Sequence, residues 1–285
     1  MTMTYLETLH EEIRSRQNPA DAVKMQSYMK NKFTFYGLKS PIMKEVMKNH
    51  VKMYGLPEMS IPEVTKRCWN YKEREMQYMG MFFVDKLKKG MQEDDVKALE
   101  NTITEKSWWD TVDHIAKHHM GHYIQTFKHR EQELVEKWIH SPNMWLNRTA
   151  ILYQLGYKKD TNEDILKYVI EQQKENKEFF IRKAIGWALR EYAKTNPDFV
   201  IDFVNSTELQ PLSRKEALKN IQLTWHRFFL LLYDFLWLLN FVNSWKTDWT
   251  KNKAINNTTT QISMSSITLK GDKALRIAVL ISNPS

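Results

Sequence analysis

The chain is poor in cysteine, glycine and proline. Cys68 is the only thiol among 285 residues. It cannot close an internal disulfide or build a multi-cysteine zinc site, so a reducing compartment is the simplest setting. Eight glycines and eight prolines are few turn formers for this length and argue against a many-stranded β architecture. Glycine-rich phosphate loops and nucleophile elbows are both missing. Residues 1–16 carry charges and no apolar run, so no signal peptide is expected. The stretch Phe228 to Val242, nearly all apolar but interrupted by Asp234 and Asn240, is shorter than the roughly 20 residues of a membrane span. Glutamate, abundant upstream, does not occur between Gln222 and Ser285.

What is present is a soluble, globular balance: 42 % hydrophobic and 27 % charged residues. The formal net charge is +8. Half of it lies beyond residue 221; the first 221 residues hold 35 basic and 31 acidic side chains. So mild an excess speaks for nucleic-acid binding only if the cations gather on one face.

Helix starts recur along the first 221 residues. Asn18-Pro19, Ser40-Pro41, Ser141-Pro142 and Asn196-Pro197 each place a capping residue before a proline at the first helical position. Ser60-Ile61-Pro62 is a looser version. Ser107 to Asp110 and Ser213 to Glu216 resemble capping boxes. Apolar residues between these starts fall at helical spacing, as in Met76, Met79, Phe83 and Leu87. The pattern predicts helices near 4–16, 19–31, 41–52, 62–71, 73–88, 93–104, 108–119, 121–127, 130–138, 142–155, 162–173, 177–194, 197–205 and 213–221. Helices this short bury their apolar faces by stacking in pairs, as a helical-repeat solenoid does. No repeat is visible as sequence identity, and a globular helical bundle remains the alternative.

Three elements carry candidate chemistry. In the helix near 177–194, Ile181, Ile185, Ala188 and Tyr192 form an apolar stripe, while Lys183, Trp187, Arg190 and Lys194 share another face. An indole among cations suits a nucleic-acid surface; the same pattern fits a covered tryptophan on a solvated face. In Ser107 to Asp113, Trp109 and Asp113 share a helical face, and Trp108, Val112 and Ile115 share one that can enter the core. Asp110 reads as a cap beside the helix dipole. Asp113 either pairs with Lys117 at the surface or stands beside an indole, where its charge can stabilise a developing cation. Arg148 is the one charged residue between Pro142 and Tyr157, so it wants an anion, which is a protein carboxylate or a phosphate. His118, His119 and His122 cluster without a carboxylate or cysteine to complete a ligand set, and read as a solvated helix end. No metal and no cofactor are expected.

Together these segments resemble the AlkD-type DNA alkylation repair glycosylases over about residues 5–221. The matching stretches run Tyr28 to Pro41, Glu105 to Asp113, Trp145 to Lys158, Glu178 to Val200 and Pro211 to Ile221. The resemblance implies an all-α, HEAT-like helical-repeat solenoid with a concave basic face. It implies an active-site cleft formed by Trp109, Asp113 and Trp187. Arg148 would grip backbone phosphate, and Tyr28 would close the cleft. Lys183, Arg190 and Lys194 are added as DNA-binding residues from the helical face, not from the resemblance. The implied activity is hydrolysis of the N-glycosidic bond of 3-methyladenine and 7-methylguanine type lesions in double-stranded DNA, from the backbone side rather than by base flipping. A monomer in the bacterial cytosol or nucleoid, with no membrane association, is expected. The rival function is a helical-repeat DNA-binding scaffold without catalysis.

Residues 222–285 depart from the resemblance. A shifted reading frame or a downstream fusion would produce so abrupt a change of composition. The run from Phe228 to Val242 either caps the last repeat or promotes aggregation. Truncation after Ile221 is expected to retain base-release activity and at least the solubility of the full chain. Loss of activity or of folding in the truncated chain would make the tail an integral cap.

Overall fold

The computed structural model describes residues 4–219 and 221, which form helices joined by short loops, with one isolated bridge between Thr34 and Glu73. Three helices open the chain: α1 (Tyr5–Ser15), α2 (Pro19–Tyr28) and α3 (Ser40–Tyr54). A series of helical hairpins follows. The first is α4 (Ile61–Asn70) with α5 (Arg74–Leu87). The second pairs α6 (Val96–Thr104) with a continuous helical arm of α7 (Trp109–His114), a π-helical turn (Ile115–Met120) and α8 (Gly121–Thr126). Then come α9 (Glu131–Ile139) with α10 (Met144–Leu152), α11 (Glu163–Gln173) with α12 (Phe179–Tyr192), and α13 (Pro197–Ser206) with α14 (residues 211–219).

The hairpins stack. First helices pack on first helices (α4 on α6, α9 on α11), and second helices on second helices (α5 on α7, α7 on α10, α10 on α12). Such layering is the helical-repeat solenoid, and it replaces the globular-bundle alternative. The period is legible in side-chain bonds rather than in sequence identity. Arg74 reaches Asp110, Trp138 reaches Glu100 and Tyr157 reaches the Gly121 carbonyl, across 36, 38 and 36 residues. Two hairpins also solve the same polar problem alike. The last carbonyls of α4 have no helical partner, and the Gln77 amide donates to the carbonyls of Cys68 and Tyr71 at 3.1 and 3.0 Å. Seventy residues on, the Asn147 amide donates to the carbonyls of Trp138, Ile139 and Ser141.

The helix starts expected at Asn18, Ser60 and Asn196 form as predicted, each side chain accepting from the backbone three residues on. Others shift. Ser141 accepts from the Asn143 amide, and Asn143 itself caps α10. Lys39, not Ser40, precedes α3. Ser213 lies inside α14 and donates to the Arg182 carbonyl at 3.0 Å, so it forms no capping box. The π turn was not anticipated. Among the described residues no helix is long and apolar enough to cross a membrane. The run from Phe228 to Val242, and with it the expectations for the tail, lies outside the described residues.

Gly186 explains how α14 closes on α12. A Cβ at this position would stand 2.5 Å from Glu216 Cβ and 2.9 Å from the Ser213 carbonyl oxygen. The missing side chain lets the two helices approach, at the sacrifice of about 1 kcal/mol of helix propensity. Gly186→Ala would regain that propensity but overpack against backbone, which typically costs about 1–3 kcal/mol. A net loss of about 1–2 kcal/mol is expected in urea denaturation; a gain in stability would show that α14 yields without cost.

Candidate active site

Trp109 is the first residue of α7 and is half-buried. Tyr28, the last residue of α2, stands edge-on to it, with ring centroids 5.9 Å apart. This is a favoured aromatic geometry, yet Tyr28 keeps 68 % of its surface exposed. An open groove of 640 Å³ borders Trp109 and is lined also by Met25, Lys39, Met43, Lys44 and Tyr78. Its floor is apolar and two of its lining residues are lysines.

Asp110 does not cap α7. Trp108 occupies the cap position in extended backbone and makes no side-chain cap bond, while the Ser107 hydroxyl donates to the Ile103 carbonyl at 2.6 Å. Asp110 is instead gripped by Arg74 of α5. Nη2 donates to Oδ1 at 2.7 Å and Nε to Oδ2 at 2.9 Å. The Tyr78 hydroxyl donates to Oδ2 at 2.7 Å. Burial and the neighbouring Asp110 charge push the Tyr78 hydroxyl well above its usual range, so it remains a donor.

Asp113 is held in the same manner from the next repeat. Arg148 of α10 donates from Nε to Oδ1 at 2.7 Å and from Nη2 to Oδ2 at 2.9 Å. Its Nη1 donates to the Phe180 carbonyl at the start of α12. The expected surface pair between Asp113 and Lys117 is therefore replaced by a buried fork. Arg148 is 4 % exposed and its guanidinium serves protein acceptors, whereas the resemblance implied a grip on phosphate. The reason is packing: α10 lies against both α7 and α12, so a long side chain from that face enters the layer instead of leaving it. Asp113 itself retains partial exposure.

Trp187 is half-buried on α12, packed against the core. The cations on its face are paired within the protein. Lys183 Nζ lies 3.0 Å from Glu216 Oε1, and Arg190 binds the other oxygen of the same carboxylate. The Lys183 hydrogen bond, helped by both positive charges, outweighs burial and holds the Glu216 carboxyl below its usual range. Lys194 Nζ lies 2.6 Å from Glu191. The structure thus joins Trp109 to Tyr28, Asp113 to Arg148, and Lys183 to Arg190 through Glu216. Lys194 stands apart from them.

The solvated-end reading of the histidines fails for His119, which is 1 % exposed. Asp85 of α5 supplies the carboxylate that the local sequence lacks, with His114 Nε2 at 2.7 Å and His119 Nε2 at 3.4 Å. Burial raises the Asp85 carboxyl, but the His114 hydrogen bond and the neighbouring His119 outweigh it and leave it low. Cys68 is no nucleophile: burial pushes its thiol up to about 12.

The sequence pattern of the family described as DNA alkylation repair enzyme matches residues 9–221. The chain belongs to the DNA alkylation repair enzyme family. A predicted DNA alkylation repair enzyme from Enterococcus faecalis is 32 % identical, with 71 % of this chain and 95 % of that one covered and a TM-score of 0.66. AlkD2 from Streptococcus mutans is 18 % identical, over 62 % and 96 % of the two chains, with a TM-score of 0.43. No curated protein matches. In this family member Arg74, Tyr78, Asp85 and Glu216 escaped sequence reasoning. The distance from Arg74 to Asp110 equals the repeat, but that signal exists only once the period is known.

Arg148→Ala would leave Asp113 without its arginine, and because that carboxylate is partly exposed the loss should fall below the roughly 3–5 kcal/mol typical of breaking a fully buried ion pair. A fall in Tm and in urea midpoint is expected, only partly recovered in Arg148→Lys, which cannot fork. Unaltered stability together with a reduced salt slope of DNA binding would show that Arg148 serves phosphate rather than Asp113.

Proposed function

We propose that this DNA alkylation repair protein is a DNA glycosylase that hydrolyses the N-glycosidic bond of cationic alkylated purines in double-stranded DNA, the first step of base excision repair. The lesions are of the 3-methyladenine and 7-methylguanine type. The observation that carries this reading is Asp113. It is a partly exposed carboxylate, fixed by a bidentate arginine, one helical turn from a tryptophan that meets an exposed tyrosine. Alkylation makes the purine cationic and a good leaving group, so no strong general acid is required. The transition state is oxocarbenium-like. A carboxylate held in place beforehand stabilises that charge without reorganising, and it can orient the attacking water. Trp109 and Trp187 would pack on the lesion's deoxyribose, where ring faces favour a nearby cation. Arg148 acts through Asp113 as a positioning residue.

DNA would be bound along a concave basic face. Lys183 and Arg190 meet phosphate only by sharing or leaving Glu216, and Lys194 by leaving Glu191. The protein would act as a monomer in the bacterial cytosol or nucleoid, with residues 1–221 as the glycosylase domain and 222–285 as a divergent tail. The rival, a non-catalytic DNA-binding scaffold, gains from one observation: Arg148 occupies both Asp113 oxygens, as a purely structural carboxylate would allow.

Base release from duplex DNA carrying 7-methylguanine separates the two. The full chain should release the base in single turnover. Asp113→Asn should lower that rate by on the order of 100-fold or more while circular dichroism and duplex affinity stay near the parent's. Equal rates in parent and variant would remove Asp113 from the chemistry, and no release by the parent would favour the scaffold.

A further inference from the structure

We propose that Asp85, His114 and His119 form a binding site for a first-row divalent cation of the Zn²⁺ class, which braces α7 against α5. The three side chains come from two elements. Asp85 lies near the end of α5; His114 ends α7; His119 lies in the π turn that follows.

The π turn creates the site. In a regular α-helix, residues five apart point about 140° away from each other. Hydrogen bonds from i to i+5 widen the turn and bring the fifth residue back over the first. The His114 and His119 rings consequently stand 5.1 Å apart, edge to face. One ring nitrogen of each histidine and a carboxylate oxygen of Asp85 all lie within 4.8 Å of one another. A π turn is a rare departure from helical geometry and is found preferentially at functional sites. Here it converts two histidines at a non-coordinating spacing into a converging pair.

Hydrogen bonding leaves the arrangement incomplete. His114 Nε2 meets Asp85 Oδ2 at 2.7 Å. The wholly buried Nε2 of His119 stands 3.4 Å from Asp85 Oδ1 but is not aligned for a hydrogen bond with any group. Buried polar atoms in folded proteins are rarely left so. A cation coordinated by both Nε2 atoms and by Asp85 would satisfy all three groups. Two imidazoles and one carboxylate suit Zn²⁺, with a fourth position for water or an outside ligand. Lys88 is the competing cation, with Nζ 3.4 Å from Asp85 Oδ1. Its flexible stem allows it to withdraw, and its charge opposes a metal until it does.

The site is separate from Asp113 and Arg148 and does not depend on the glycosylase reading. The full chain, without affinity tag and stripped with EDTA, is titrated with Zn²⁺ against a chromophoric chelator, and separately with Co²⁺. A single saturable Zn²⁺ per chain is expected, with a raised Tm and visible Co²⁺ absorption of low-symmetry coordination. Asp85→Asn and His114→Ala should each weaken binding at least 10-fold and abolish the Tm rise. Lys88→Ala should bind as tightly as the parent or more so. His129→Ala, at an exposed histidine elsewhere, should leave binding unaltered. His119→Ala removes a buried ring, so the less buried His114 variant, checked for folding by circular dichroism, decides the matter. No stoichiometric binding by the parent, or unaltered binding in both Asp85→Asn and His114→Ala, overturns the proposal.

Discussion

Two arginines hold α7. Arg74 reaches it from the preceding repeat and forks onto Asp110; Arg148 reaches it from the following repeat and forks onto Asp113. The helix is the first stretch of a helical run that continues through the π turn to Thr126, and its own start has no side-chain cap. Its placement is set by directional tertiary contacts, these two ion pairs together with the His114–Asp85 hydrogen bond. Trp109 is presented toward Tyr28 because its neighbour Asp110 is fixed, and Asp113 faces its surroundings in one orientation because both its oxygens are committed. The desolvation of both groups offsets much of their attraction, so such pairs fix a geometry more than they add stability.

The same constraint ties the site to the rest of the solenoid. Arg148 touches the Phe180 carbonyl as well, so the helix carrying Trp187 is joined to the helix carrying Asp113 through one guanidinium. Phe180 in turn packs with Trp108 and Trp145, with ring centroids 5.2 and 5.1 Å away, and these rings bury the span between the repeats. On α12 a comparable arrangement recurs with the signs reversed. One carboxylate, Glu216, serves two cations, Lys183 and Arg190, and Gly186 leaves the room for it to arrive. The layer of second helices is thus knit by charged groups that each span one repeat.

Neutral amides answer a second difficulty of the repeats. In two hairpins the carbonyls at the end of the first helix turn inward toward the second helix of the same hairpin. Gln77 and Asn147 satisfy them with a side-chain amide placed nine residues past the first of these carbonyls. The repeat is conserved as a solution to a hydrogen-bonding problem. Gln and Asn, or Arg paired forward and Arg paired backward, do the same work with different residues, so sequence comparison between repeats finds little.

What the sequence by itself determined was local: a helical chain, punctuated at Asn18, Ser60 and Asn196, with apolar stripes such as Ile181, Ile185 and Ala188 that had to be buried. Capping and periodicity act within one or two turns, and for that reason they can be read directly. The stacked solenoid followed from the shortness of those helices together with the family resemblance. Only the tertiary structure decided the partners of the charged residues. Lys183, Arg190 and Arg148 had the residue types of a DNA-facing surface, and Asp110 had the position of a cap. Each was claimed by an opposite charge 26 to 36 residues away in the chain, a separation that local spacing rules do not express. The π turn at Ile115–Met120 lay equally beyond local rules, because a helix changes its hydrogen-bond register in answer to packing from other helices and not to its own residues alone.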